Sequence, residues 1–165
     1  MPSPLMATFA LVHGAWHGAS CWELLAPHLQ QAGHHVVAMD LPTDDGSATF
    51  DTYADVVCAA IAGCDGDIVV VGHSYGGMVI PLVAARRSVR HLVYVAASVP
   101  DIGRSLNDQL QDEDLFNSDA YNGLKLDAHS RYVWVDRTRL AMLADRIPCG
   151  SMHFGDLQWR SADTS

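Results

Sequence analysis

The stretch Ile68-Val-Val-Val-Gly-His-Ser-Tyr-Gly-Gly77 decides how this sequence is read. It opens with a continuous β-branched run, the pattern of a strand buried on both faces. Gly72-His73-Ser74-Tyr75-Gly76 follows at once and fits G-x-S-x-G, a sharp strand-to-helix turn that exposes a serine hydroxyl. The positions two before and two after the serine must be small, or side chains would collide across the turn. Glycine meets that need at both, and Gly77 adds room for close helix packing. A helical pattern follows from about Tyr75 to Arg87. The turn would hold Ser74 at the carboxyl end of its strand, where α/β folds bind ligands. The helix N-terminus beside it lends partial positive charge to a developing oxyanion.

Upstream, the same alternation repeats. Leu5–Val12 is an apolar run ending at His13-Gly14. Ser20-Cys-Trp-Glu23 reads as a capping box that opens a helix to about Ala32, closed by Gly33. Pro27 lies inside that span and should kink the helix or shift its start. His35–Met39 is a short strand ended by Asp40-Leu-Pro42, and Thr43–Thr49 is a polar loop. Phe50, Tyr53, Val56, Val57, Ala60 and Ile61 then recur at helical spacing up to Gly63. Downstream of the turn, His91–Ala97 is the next strand, apolar on both faces. Strand, helix, strand, helix, strand, helix, strand predicts an α/β fold: a mostly parallel sheet with flanking helices.

Composition shifts near Pro100. The first 100 residues hold three basic and eight acidic residues, the last 65 seven and eleven. We therefore divide the chain into 1–100, the core, and 101–165, a partial cap region and irregular tail of the same domain. In the second part Leu106–Leu115 reads as a short helix, Asn117–Asp127 as loop, Tyr132–Val135 as one short strand and Arg137–Arg146 as a helix. Pro148–Ser165 has no period, and its last residues are expected to be poorly ordered.

The length of 165 residues suits one domain. With 49% hydrophobic and 18% charged residues the chain is neither disordered nor fibrous. No apolar run approaches the roughly 20 residues of a membrane span. Ten basic against nineteen acidic residues give a net charge of −9, which argues against nucleic-acid binding. Cys21, Cys58, Cys64 and Cys149 show neither C-x-x-C nor zinc spacing, so reduced thiols, no metal site and a cytoplasmic location are expected. Met1–Ala10 has no basic residue and leads into a strand, unlike a secretory signal. Met6 could serve as an alternative start.

A second motif, His13-Gly-Ala-Trp-His-Gly18, lies directly after the first strand. Beside an elbow serine it suggests an oxyanion hole, one N–H coming from the residue after the nucleophile and one from this earlier loop. That assigns the backbone N–H groups of Tyr75 and Ala15. Gly14 and Gly18 would let the loop approach the substrate. Neither glycine-bearing stretch fits G-x-G-x-x-G, so dinucleotide binding is not supported.

Phe9–Gly18, the Ser20–Trp22 helix entry and Val70–Met78 together resemble the α/β-hydrolase superfamily. Within it they are similar to the small serine esterase branch of plant methylesterases, hydroxynitrile lyases and bacterial relatives. The resemblance runs from about Ala7 to Leu106. It implies ester chemistry on a small-molecule substrate with Ser74 as nucleophile, a histidine base, an aspartate to orient it, and no cofactor.

The superfamily order is serine, acid, histidine, with the last two on loops after two further strands. Each strand–helix unit needs about 30 residues, and only 65 follow Pro100. Three explanations stay open. The chain ends inside the cap, Tyr132–Asp136 being cap sequence and the C-terminal strands missing. Or it is a minimal hydrolase with Asp136 as acid and His153 as base. Or another histidine completes the site; His129 lies in a loop, while His91 precedes its strand and His13, His17 and His73 belong to the motifs. A catalytically inactive fragment or ligand-binding remnant, and hydroxynitrile-lyase-like activity, are the functional alternatives. A missing neighbour would leave the His91–Ala97 strand as an exposed edge open to self-association.

Overall fold

The computed structural model describes residues 6–106, Asp108 and Gln109, and the backbone of 124–126, 131–134 and 159–160. Four strands, β1 (Ala7–Val12), β2 (His35–Met39), β3 (Asp67–His73) and β4 (His91–Val95), form one sheet in the order β2-β1-β3-β4. All three pairings are parallel, with Val12 opposite Met39 and Gly72. The expected α/β architecture is therefore present. The chain moves from β1 to β2 on one side, then crosses back to β3 and β4 on the other. Such a reversal opens a crevice at the carboxyl ends of the two central strands.

The reversal also distributes the helices. Crossovers of one hand place the first helix on one face and the next two on the other. Helix α1 (Ala26–Gln31), with the 3-10 turn Ala19–Trp22, covers the smaller cluster of Leu11, Trp22, Val69 and Val71. Helices α2 (Phe50–Ala60) and α3 (Ile80–Arg86) cover the larger one, which includes Val12, Val70, Tyr53, Val57, Ile80 and Val83. Arg86 pairs with Asp51 and Asp55 and so ties α3 to the first turns of α2.

Several local expectations change. Ser20–Glu23 is not a capping box: Ser20 lies inside the 3-10 turn, whose N-cap is Gly18. The acceptor comes instead from the end of β2, where Asp40 Oδ1 takes the Ala19 N–H at 2.6 Å. α1 starts only at Ala26, with Pro27 in its first turn, where its missing N–H costs nothing. A true capping box opens α2, Thr49 and Thr52 each accepting the other's backbone N–H. The usual signature has Glu or Gln at the third position, and Thr52 does the same work there.

The helix after the elbow is also broken. A 3-10 turn spans Ser74–Met78, and α3 begins at Ile80 because Pro81 cannot donate into a continuous helix. β4 ends at Val95 rather than Ala97, where Ala96 takes a φ of 42° and redirects the chain. β4 alternates as a one-sided strand: Leu92 and Tyr94 pack on the larger cluster, whereas Val93 and Val95 are exposed.

In the second part, Leu124–Leu126 (β5) is a strand, not loop. It pairs antiparallel with Arg131–Trp134 (β6), which pairs antiparallel with Trp159–Arg160 (β7). The Leu-Lys-Leu alternation of β5 was too short to read as a strand on its own. The helix expected over Arg137–Arg146 lies outside the described residues, as does most of that over Leu106–Leu115. Among the described residues no helix is long and apolar enough to cross a membrane.

Candidate active site

Two loops meet at the carboxyl ends of β1 and β3. Ser74 has a φ of 51°, the left-handed backbone that side chains other than glycine seldom adopt. The glycines around it explain how it is held. A Cβ on Gly72 would lie 2.8 Å from the Gly76 carbonyl carbon, a collision across the turn as expected. A Cβ on Gly76 would instead meet the end of β1, 2.7 Å from the Val12 carbonyl oxygen and 2.9 Å from that of His13. Gly77 faces the other flank, where a Cβ would collide with the Ser98 carbonyl oxygen just beyond β4. The elbow is thus wedged between its two neighbouring strands.

The β1 loop lies directly against the serine. A Cβ on Gly14 would come within 2.9 Å of Ser74 Cβ and 3.1 Å of His73 Nδ1. So Gly14, with Ala15 next to it, is brought to Ser74 by the sheet. Gly18 is different: its bare face makes room for the Asp40 carboxylate, and that explains this glycine without a substrate.

His13 sets the start of this loop. It is 1% exposed, and its Nε2 accepts the Leu41 N–H at 2.9 Å. The proton must then be on Nδ1, which donates to the Gly14 carbonyl at 2.8 Å. The ring therefore joins the ends of β1 and β2 in a fixed neutral tautomer. Burial pushes its pKa below the ordinary histidine value, while the Gly14 hydrogen bond and Asp40 act the other way. His17 donates from Nδ1 to the Ala15 carbonyl at 2.8 Å. Its Nε2 is buried without a partner, as is Nε1 of Trp22. Both rings stand edge-on to His73, at centroid distances of 5.4 and 6.2 Å. Burial, and then His17 and His13, lower the His73 pKa to about 4, so this ring is neutral at pH 7.

On the far side, the Tyr75 ring packs on Phe50 at 4.9 Å and meets the Tyr53 ring edge-on at 6.1 Å. Sequence reading assigned Tyr75 only a backbone role and overlooked this anchor to α2. The signal was available, since Phe50 and Tyr53 sit on the apolar face of that helix.

Ser74, Ala15 and Tyr75 are thus grouped at one place. Asp136 and His153 lie outside the described residues, as does His129. Among the described residues β6 pairs with β5 and β7 and not with the parallel sheet. Among the described residues no group of three His, Cys, Asp or Glu side chains could hold a metal ion.

Comparison with known proteins gives this arrangement a family. The profile of the group described as the Alpha/beta hydrolase family matches residues 9–164. The chain belongs to the α/β-hydrolase family. A carbendazim-hydrolysing esterase of Nocardioides sp. is 43% identical over 114 residues, 61% of this chain and 46% of the relative. Esterase PIR7B of Oryza sativa is 35% identical over 132 residues, 72% of this chain and 48% of that protein. This α/β-hydrolase therefore spans about half the length of those two relatives. A polyneuridine aldehyde esterase mutant superposes with a TM-score of 0.67 at 25% identity, over 94% of this chain and 74% of that one. A pyrethroid hydrolase from Sphingobium faniae gives 0.68 at 22% identity, a likeness of fold alone. The resemblance to the plant methylesterase branch stands as well, Methylesterase 2 of Arabidopsis thaliana being 33% identical over 109 residues.

Proposed function

We propose that this chain carries the nucleophile half of a serine-dependent carboxylic ester hydrolase acting on a small-molecule ester. Ser74 would attack the ester carbonyl, and the N–H groups of Ala15 and Tyr75 would hold the oxyanion. The observation that carries the reading is Ser74 at a φ of 51° with the Gly14 backbone packed against it. The esterase names of the relatives support the substrate class. A serine needs a base to be a strong nucleophile at neutral pH, and Asp136 and His153 are the proposed partners within this chain.

The test is labelling by a fluorophosphonate probe. Labelling that Ser74→Ala abolishes is the expected result. Loss of labelling in Asp136→Asn and His153→Ala would assign those partners. A folded chain that takes up no probe would remove the reading.

We also propose that the β4 edge drives self-association. Val93 and Val95 are 38% and 39% exposed, and Val99 and Ile102 nearby are 61% and 100% exposed. Apolar edges of this kind are open to pairing. Sedimentation of the wild type against Val93→Lys should show a shift toward monomer; a wild-type monomer at micromolar concentration would sink the idea. Free thiols at Cys21, Cys58 and Cys64 are in keeping with a cytoplasmic location, which stays a proposal.

A further inference from the structure

The site has a third neighbour that the motif does not mention. Beyond β4 the chain doubles back over the elbow, and the Ser98 N–H donates to the Ser74 carbonyl at 3.1 Å. Two features serve this contact. Ala96 adopts a φ of 42°, a strained value for alanine, and so turns the chain toward the elbow. Gly77 has no Cβ, and one there would strike the Ser98 carbonyl and lie 2.9 Å from Ala97 Cβ.

The acceptor belongs to the Ser74–Tyr75 peptide. In a trans peptide the C=O and N–H point in opposite directions, and the unit is rigid. Holding the carbonyl toward the β4 flank therefore aims the Tyr75 N–H away from it. β3 lies between β4 and β1 in the sheet, so that direction is the β1 flank, where Gly14 and Ala15 are. Carbonyl and amide of one peptide also polarise each other through their hydrogen bonds.

We propose that the Ser98 backbone N–H is a positioning group for the oxyanion hole, acting through the Ser74–Tyr75 peptide, and that Gly77 is bare so that this brace can close. The inference rests on the ester-hydrolase reading for its purpose but not for its geometry. Ser98 touches no reacting atom. It fixes the direction of a donor whose value depends on orientation, since such donors lower the barrier only when already aimed at the developing charge.

The test uses the full chain, 15N-labelled. In the wild type the Ser98 amide should exchange with solvent at least about tenfold more slowly than that of Val99, because a held N–H must open first. Ser98→Pro removes the donor and should move the Tyr75 amide resonance; Ser98→Ala keeps the N–H and should restore it. Turnover of p-nitrophenyl acetate should show kcat about tenfold lower in Ser98→Pro at nearly unchanged KM, the mark of an interaction made in the transition state. Phosphonylation of Ser74 should shift the Ser98 amide proton downfield. An unlabelled, inactive wild type would end the ester-hydrolase reading, while amide exchange and the Tyr75 resonance still decide the brace. A Ser98 amide exchanging as fast as that of Val99 would overturn the brace, as would a Tyr75 resonance unmoved by the proline. If Ser98→Pro does not fold, the wild-type exchange rate decides alone.

Discussion

The two loops that flank the nucleophile are held by opposite means. At the exit of β1, a side chain does the work: His13 bridges the Leu41 N–H and the Gly14 carbonyl. At the exit of β3, the absence of side chains does it: Gly72, Gly76 and Gly77 let three backbone segments close to contact. The first arrangement depends on a proton and should respond to pH. The second depends on space at its glycines and should respond to volume there.

The largest effect expected is on the space-limited side. In Gly76→Ala the new methyl would sit 2.7 Å from one carbonyl oxygen and 2.9 Å from another. Both belong to the end of β1, which is paired on two sides and cannot yield. Forced overpacking against backbone should cost about 4 kcal/mol, at the severe end for a single methyl. Urea unfolding measures it. A loss below about 1 kcal/mol would mean that the two exits are not in contact, and the comparison would fail.

His13→Ala comes next. It strands the Leu41 N–H and the Gly14 carbonyl and leaves a cavity in a fully enclosed place. About 3 kcal/mol is expected, from lost hydrogen bonds and lost packing together. Fluorophosphonate labelling should slow as well, because the Gly14–Ala15 peptide loses its anchor. Unchanged labelling of a folded His13→Ala would show that the β1 loop is set by something other than the ring.

A smaller effect is the response to acid, which reaches both exits because His13 follows β1 and His73 ends β3. Burial lowers the pKa of both His13 and His73 below the ordinary value of 6.5, that of His73 to about 4. Between those values the unfolded chain binds more protons than the folded one. Stability is therefore complete above pH 6.5 and falls as the pH drops toward 4. Urea midpoints at pH 7 and pH 4.5 should differ, and the difference should shrink in His73→Gln. An equal acid response in that variant would place the sensitivity elsewhere.

Much of this was legible in the sequence, for a physical reason. A β-branched run followed by glycines admits few conformations, so β3 and the elbow follow from local sterics, while β1 reads from its apolar run up to His13-Gly14. The Ser20–Glu23 box failed because the decisive acceptor, Asp40, comes from another strand. The Ser98 contact was invisible for the same reason, and Gly77 was its only trace. β5 and β7 were missed because two- and three-residue strands exist only through their pairing with β6. Asp136 and His153 rest on chain order alone, which says nothing of where a loop closes.

The smallest effect concerns Asp40, which belongs to the β1 exit from outside. Its carboxylate caps the Ala19 N–H and also holds the His13 pKa up from a distance. Two substitutions separate these roles. Asp40→Asn keeps an acceptor oxygen and removes the charge; at pH 7 it should change stability by less than about 0.5 kcal/mol. Without the carboxylate, protonated His13 is less favoured still, so the acid loss of stability should start from the same pH and run deeper. Asp40→Ala removes the cap too and should cost about 1 kcal/mol at pH 7, the usual value for a lost N-cap acceptor. If the asparagine variant were as unstable as the alanine at pH 7, the charge rather than the cap would be what steadies the turn. The β1 exit would then be electrostatic throughout, and its contrast with the glycine-packed exit of β3 sharper still.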